Sequence, residues 1–496
     1  MTDPTILQLT TLTADEPELF SSISRLSADF VHDLLKPCAL ILPKEARDVE
    51  LLATHLRPHL DEYLAMLLFR ACLPEAQRNL PLLETVLTDA QDDPLVRESW
   101  SKAAVFGLGG VQNGGSKPLL VFDEHTPTGQ QHTASSAVAL VTHRLLSSNI
   151  LPKALFFILR EADLVDALGG AHPKHLANYL LRLHDLLPVL QNAKADRPDP
   201  CLIKRAVAEG ALLCLLRAAS LDFPYWEEQF WRPRALAQLE AHAASSPFRQ
   251  QEGFNTAYQQ LQSNLARFRQ PHFAVKENSQ TLLGFPLGRK RLFQSLLVPF
   301  IAALCPLVLG EKAGRAIMGR LWDARLVTQM RYSLAFDCLE KTLGPQPEAY
   351  DGASAIGHLV FRSLPDKNTA GPWVIAVDQK AGLSCVRQAL TSYVRKYHAD
   401  QALTLLHNPE SDSSVLSRGS GISKALWDKL IDWLLDWEGS SDQEGQPGAW
   451  HVVTNARGER ADFILNGNAA HRYARKTKLD ADTLVSWLAR QQPAGL

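Results

Sequence analysis

Between about residue 30 and about residue 190, short apolar runs alternate with segments of helical spacing, and this alternation restricts the chain more than any other feature. The runs CALIL, VELLATH, AAVFGL, PLLVF and ALFFIL have strand length and end in polar or glycine-bearing turns. Between them, segments such as Asp61 to Cys72 and Ser135 to Leu146 repeat apolar residues at helical spacing. Such alternation predicts a mainly parallel sheet covered by helices. Ligand sites in sheets of that kind collect at the carboxyl ends of the strands.

A chain of 496 residues is too long for one ordinary core, so two or three domains are expected. A polar, proline-bearing stretch, QNAKADRPDP from Gln191 to Pro200, marks the first boundary. From Cys201 to about Leu343 the pattern is helix after helix, flanked by YWEEQFWRPR, ARFRQ and GRKRLF. Strands return after LGPQPEAYDGAS, in HLVFRSL, PWVIAVD, ALTLLH and WHVVTN. The expected organisation is an α/β domain over residues 1–195, a helical middle region over 201–345, and a smaller C-terminal α/β domain over 346–496.

A formal net charge of −2 excludes a protein held on nucleic acid by bulk charge alone, so any such substrate must be gripped locally. The 7 cysteines are scattered singly, with no CxxC pair, and suit small apolar core residues in a reducing compartment. The segment MTDPTILQLTTLTADEPE carries acids where a secretory signal places basic residues, which makes the cytoplasm the expected location. One stretch, Leu292 to Gly310, approaches membrane-spanning length. It holds Gln294, Ser295, Pro299 and Pro306, and is expected to form short buried helices broken at the prolines, with no membrane partner.

The segment with the most chemistry is THLRPHLDEYLA, which brings His55, Pro58, His59, Asp61, Glu62 and Ala65 between a strand-like run and a helix. Side chains at a strand end and in the following turn can converge on one ion, whereas along a straight strand they would diverge to opposite faces. Imidazole with carboxylate suits Mn, Zn or Fe better than Ca, and Mg joins them where carboxylates and water dominate. Taken alone, the segment equally suits a capped helix start, with Asp61 accepting the first amides.

The same segment resembles the DHH-type phosphoesterases. In that family a strand commonly ends in H-x-x-P-D-x-D, and from His55 to Asp61 this chain reads H-L-R-P-H-L-D, with histidine in place of the middle aspartate. The H-x-D-E-x-x-A run from His59 to Ala65 is more similar still to the branch named for melanocyte proliferating gene one. Members of that branch carry T-H and then F-H-C-D-E; Thr54 and His55 fit its beginning with one residue fewer in the gap. Further pieces follow in the family's order: GLGGVQ resembles V-D-V-G-G-V, VFDEH resembles Y-D-H-H, TASSA resembles T-S-L-S-S-A, and EADLVDALGG resembles E-x-D-A-I-D-N-G. The pieces run in order over residues 49–170.

Position by position, the resemblance implies a DHH-like parallel-sheet domain with His55, His59, Asp61 and Asp163 as metal ligands. Glu124 stands where the first histidine of DHH would be and is expected to bind metal as a carboxylate with a part in catalysis. His125 keeps the second histidine and would face the phosphate or leaving group. Mn or Mg is the divalent ion implied. The aspartate that the family places before Gly109 and Gly110 is Gly107 here, and Asp89, Asp92 and Asp93 upstream are candidates to replace it.

For the substrate, Gly109 and Gly110 suit a phosphate cradle of backbone amides, and equally a tight turn. Arg289 and Arg291, with Arg267, Arg269, Lys290, Trp226 and Trp231, suit contacts along a single-stranded nucleic acid; snorkelling side chains and core aromatics account for them as well. His471, in LNGNAAHRYARKTKL, lies in a segment that resembles the substrate-binding tail domain of DHH proteins and also fits a basic surface turn. The expected activity is divalent-metal-dependent phosphodiester hydrolysis, as a phosphodiesterase or exonuclease on nucleotides, short oligonucleotides or single strands. The alternative is a catalytically lapsed relative serving as a nucleotide sensor or as a scaffold for protein partners.

Overall fold

The computed structural model describes residues 16–55, 58–85, 99–108, 117–124, 136–146, 151–168, 200–220, 228–267, 281–282, 285–286, 290–345, 349–363, 372–379, 385–408, 413–440, 448–454, 459–467 and 475–491. Their architecture is mixed α/β, in two compact units over Met1–Val327 and Thr328–Leu496.

The first unit is built on a four-stranded sheet in the order β2-β1-β3-β4, where β1 is Leu51–His55, β2 Leu82–Thr85, β3 Ala103–Phe106 and β4 Leu120–Phe122. All three pairings are parallel, as the strand and helix alternation predicts. Thr54 ties the central pair together by donating its hydroxyl to the Phe106 carbonyl at 2.9 Å. Helix α1 is Glu16–Leu35, and α2, Leu60–Cys72, follows β1 directly. Every residue of α2 is buried, which suits its nearly uninterrupted apolar run from Tyr63 to Phe69. Phe69 meets Phe106 and Phe122 at ring-centroid distances of 5.7 and 5.6 Å, and the latter two stack at 5.2 Å, locking α2 onto β3 and β4.

Helices α3 (Ala137–Leu145) and α4 (Lys153–Leu168) pack on α2. The ALFFIL run expected as a strand lies within α4. Among its described side chains Leu155, Ile158, Leu159 and Ala162 are buried, a spacing of three and four that continues through the helix formers of EADLVDAL. CALIL forms no strand either. Lying between Pro37 and Pro43, it makes an isolated bridge from Leu40 to Leu146 and leaves Ile41 exposed.

The middle stretch supplies α5 (Pro200–Ser220), α6 (Glu228–Ser245), α7 (Phe254–Arg267), α8 (Lys290–Leu309) and α9 (Glu311–Leu343), with a two-residue hairpin of β5 (Thr281–Leu282) and β6 (Phe285–Pro286). Helix α5 packs against α1 and α2. Its Glu209 accepts from buried Arg70 of α2 at 2.8 and 3.1 Å. The apolar run of α8 is one helix with Pro299 and Pro306 inside it, not the broken pair expected. Each proline removes one backbone donor, but Phe300 to Cys305 are wholly buried and tertiary packing holds the helix through both. It stops at Gly310, whose φ of +84° suits glycine. Among the described residues no helix is long and apolar enough to cross a membrane.

The second unit is a seven-stranded mixed sheet in the order β12-β13-β11-β10-β9-β8-β7. Its strands are β7 (Tyr350–Ser354), β8 (Gly357–Ser363), β9 (Trp373–Gln379), β10 (Ala402–Asn408), β11 (Ser413–Arg418), β12 (Trp450–Thr454) and β13 (Arg460–Gly467). Only β9 and β10 pair in parallel, joined by α10 (Val386–Tyr397). Leu359, Phe361, Ile375 and Val377 form one core with α10 and with Leu339 and Leu343 of the end of α9. Val374, Leu403, Leu405, Leu416 and Ile464 form another with α11 (Lys424–Glu438) and α12 (Ala481–Gln491).

Candidate metal centre

Strand β1 ends at His55, the chain enters α2 at Leu60, and the turn between them places two imidazoles beside two carboxylates. Position 59 is the helix N-cap, and His59 makes no side-chain capping bond. Asp61 and Glu62 occupy the first turn, where the helix dipole favours negative charge. The capping role open to Asp61 is therefore not the one it takes. Its carboxylate faces inward, 2% exposed, toward Glu62, Glu124 and Asp166.

Six side chains meet here in three overlapping groups: His55, His59 and Glu62; His59, Asp61 and Asp166; and Asp61, Glu62 and Glu124. Within each group one ligand atom per residue lies within 4.8 Å of the others. The His55 Nε2 atom is 2.9 Å from Glu62 Oε1, and His59 Nδ1 is 3.6 Å from the same oxygen. The two rings stand edge to face with centroids 5.1 Å apart. The His59 side chain is 56% exposed and that of Glu62 1%, so the cluster runs from imidazoles at its mouth to carboxylates at its floor. Glu124 reaches that floor from the residues just beyond β4, the carboxyl end of another strand of the same parallel sheet.

The carboxylates of this floor could hold a cation. Burial, then the charges of Glu62, Asp166 and Glu124, hold the Asp61 carboxyl well above the usual carboxylate range. Burial pushes Glu62 up as well, but His59 and His55 together outweigh it and hold that carboxyl below its ordinary value. The Asp61 and Glu62 carboxyls lie against one another, and no other donor reaches the buried Asp61 Oδ2 or Glu62 Oε2. Two carboxyls so placed at nearly complete burial are costly in a protein interior, and a divalent ion is one group that could satisfy them. Imidazole nitrogen with several carboxylates suits Mn, Zn or Fe, and the carboxylate floor by itself suits Mg.

Of the residues expected as ligands, His55, His59, Asp61 and Glu124 come together, and Asp163 does not. Asp163 Oδ1 accepts from the Ser136 hydroxyl at 2.8 Å and from its amide at 3.3 Å, while Ser136 Oγ accepts from Ala139 N and so caps α3. The carboxylate that α4 contributes is Asp166, one turn further on. Glu62 was not among the expected ligands, and Asp166 stood beside Asp163 in a helical spacing that equally fits a solvated face. Their signal was a pair of acids opening an otherwise apolar helix and a second aspartate at i+3 on α4. Gly109, Gly110, His125, Arg289 and His471, with Asp89, Asp92 and Asp93, lie outside the described residues, as does the side chain of Arg291 in α8.

Gly107, just past the end of β3, has φ +53° and donates its amide to the Phe122 carbonyl at 3.0 Å. A Cβ there would lie 2.8 Å from both Cγ and Oε1 of Glu62. No protein-family model matches the chain, and no curated protein sequence matches it.

Proposed function

We propose that the first unit is a divalent-metal-dependent phosphoesterase of the DHH type, hydrolysing phosphodiesters in nucleotides, short oligonucleotides or single-stranded nucleic acid, with Mn or Mg as its ion. The observation that carries this reading is the convergence of His55, His59, Asp61, Glu62, Glu124 and Asp166 at the carboxyl ends of parallel strands, with buried oxygens of Asp61 and Glu62 that no other donor reaches. The ordered motifs of the sequence supply the substrate class.

A divalent ion held by these residues would act as a Lewis acid on a phosphoryl oxygen and lower the pKa of a water. Asp61, Glu62 and Glu124, ionised around such an ion, would provide the negative charge that retains it, and burial would keep that charge from being screened. His55 and His59 stand at the mouth, where an entering phosphate meets them first. His59, the most exposed member, offers an imidazole N–H to a phosphate oxygen as α2 directs its N-terminal end toward the same place.

The test is hydrolysis of short RNA and DNA oligomers by metal-stripped protein to which Mn or Mg is returned. Loss of turnover by at least about 100-fold is expected on His55→Ala and on Asp61→Asn, with metal content falling in parallel. The second reading, a nucleotide sensor or scaffold, has one observation in its favour: His55 and Glu62 already satisfy each other at 2.9 Å. Nucleotide binding by a protein that neither retains metal nor turns over any oligomer would establish it.

A further inference from the structure

We infer that Cys214 and Cys305 form a redox latch, a thiol pair that a small-molecule disulfide converts into a covalent bond between α5 and α8. The inference is independent of the metal reading and concerns helices behind α2, not the ligands.

The two sulfurs lie 3.6 Å apart and both residues are fully buried, although 91 residues separate them along the chain. Their backbones are held from both sides. Three residues on from each cysteine, Arg217 of α5 donates to the Val308 carbonyl of α8 at 2.8 Å, so the stagger that joins the sulfurs is repeated one turn later. That carbonyl lies in the last turn of α8, where a partner has to come from outside the helix. On the other flank, a Cβ at Gly314 of α9 would run into the Pro306 backbone and the Cys305 carbonyl. The glycine lets α9 close directly on the segment that carries Cys305. A disulfide needs sulfurs about 2 Å apart, so closure takes a shift of roughly 1.5 Å, within reach of two short side chains turning about χ1.

The exchange balances in two steps. Cys214, as thiolate, attacks one sulfur of the small disulfide and expels the other as a thiolate; Cys305, as thiolate, then attacks the Cys214 sulfur of the mixed disulfide and expels the second. The two protons lost by the cysteines pass to the two expelled thiolates, and the small disulfide is reduced as the pair is oxidised. Inside the closed fold the exchange does not start. Burial, and then Cys214, push the Cys305 thiol well above its ordinary pKa, and no reagent reaches either sulfur. Oxidation therefore waits for α8 to lift from α5. Pro299 and Pro306 each remove a backbone donor from α8, which makes it the weaker of the two helices. Once joined, the helices stay together until a thiol reduces the bond.

The experiment holds the full-length protein in a buffer of oxidised and reduced glutathione, with and without urea well below the unfolding midpoint. Remaining thiols are blocked with N-ethylmaleimide under denaturing conditions, and peptides are mapped by mass spectrometry. Of the 7 thiols, those of Cys214 and Cys305 are expected to disappear into one crosslinked peptide, faster in the urea. The melting temperature should rise by about 5 °C or more and return on addition of dithiothreitol. Cys214→Ala and Cys305→Ser should each abolish both the crosslink and the rise. The thiol count is made on the parent protein, so it decides the matter even where a variant folds poorly. Retention of all 7 thiols in the urea overturns the inference. So does a lasting glutathione adduct on either cysteine, pairing of either with a different cysteine, or a crosslink that leaves the melting temperature unchanged.

Discussion

The Ser136 hydroxyl donates to Asp163 Oδ1 at 2.8 Å and in turn accepts from the Ala139 amide, so that an aspartate of α4 fixes the start of α3. Three residues further along α4, Asp166 lies against His59 and Asp61 instead. Asp163→Ala is therefore expected to lower stability by about 1 kcal/mol through the weakened cap, with metal affinity nearly unchanged. Asp166→Asn should weaken metal binding and leave stability close to that of the parent. Thermal denaturation and calorimetric metal titration of both variants separate the two roles, and equal metal loss in both would contradict the assignment.

Gly107→Asp restores the letter that the DHH pattern places before Gly109 and Gly110, yet its Cβ would run into Glu62. A strained φ and this overlap together are expected to cost about 1–3 kcal/mol, with no gain in metal affinity. Adding Glu62→Ala should recover part of the loss, because the overlap disappears while the strain stays. Urea melts of the single and double variants measure the recovery; additive losses would show that the two residues do not share space.

Arg70 and Glu209 join α2 to α5 in a wholly buried, bidentate ion pair, and Arg70 also donates to the Ser24 carbonyl at 2.8 Å. Removing one partner strands the other charge. Glu209→Leu alone is expected to destabilise the first unit by about 3–5 kcal/mol, and Glu209→Leu with Arg70→Met by much less. Chemical denaturation gives both values, and a double variant no better than the single would place the stabilisation in the hydrogen bonds rather than in the charge balance.

His398 lies against the rings of Phe361, Trp373 and Tyr393, 6% exposed, with no hydrogen-bond partner at Nε2. Burial holds its pKa below the ordinary 6.5. The unfolded chain therefore takes up a proton as pH falls through that value while the folded second unit does not, and its stability drops from there down to the folded pKa. His398→Phe should narrow the difference in melting temperature between pH 5 and pH 7.5 by about 2–4 °C. An unchanged difference would mean that other groups carry the acid sensitivity.

The parallel sheet was readable because VELLATH, AAVFGL and PLLVF are apolar runs closed by turns, and both α2 and α3 lie where helical spacing put them. ALFFIL has the same local appearance, and only the continuation of its spacing into EADLVDAL distinguishes a buried helix from a buried strand. Strands β2, β7, β11 and β13 carry too little contrast between faces to stand out. Within the centre, His55, His59 and Asp61 were legible from their place at a strand end. The choice of Asp166 over Asp163 depends on how α4 is rotated against α2, which no spacing on α4 itself records. Glu62 was concealed by its neighbour, since adjacent helical residues ordinarily point apart.

Helix α2 is enclosed from Leu60 onward, so its first turn has no freedom to fray in the way that exposed helix ends do. Opening the amides from Tyr63 onward, the first of which bonds to the His59 carbonyl, then requires dismantling the packing of the whole unit, and their hydrogen exchange should be as slow as that of the deepest core. The two rings above the carboxylate floor, His55 and His59, can by contrast reorient without such opening, on the timescale of side-chain motion rather than of unfolding.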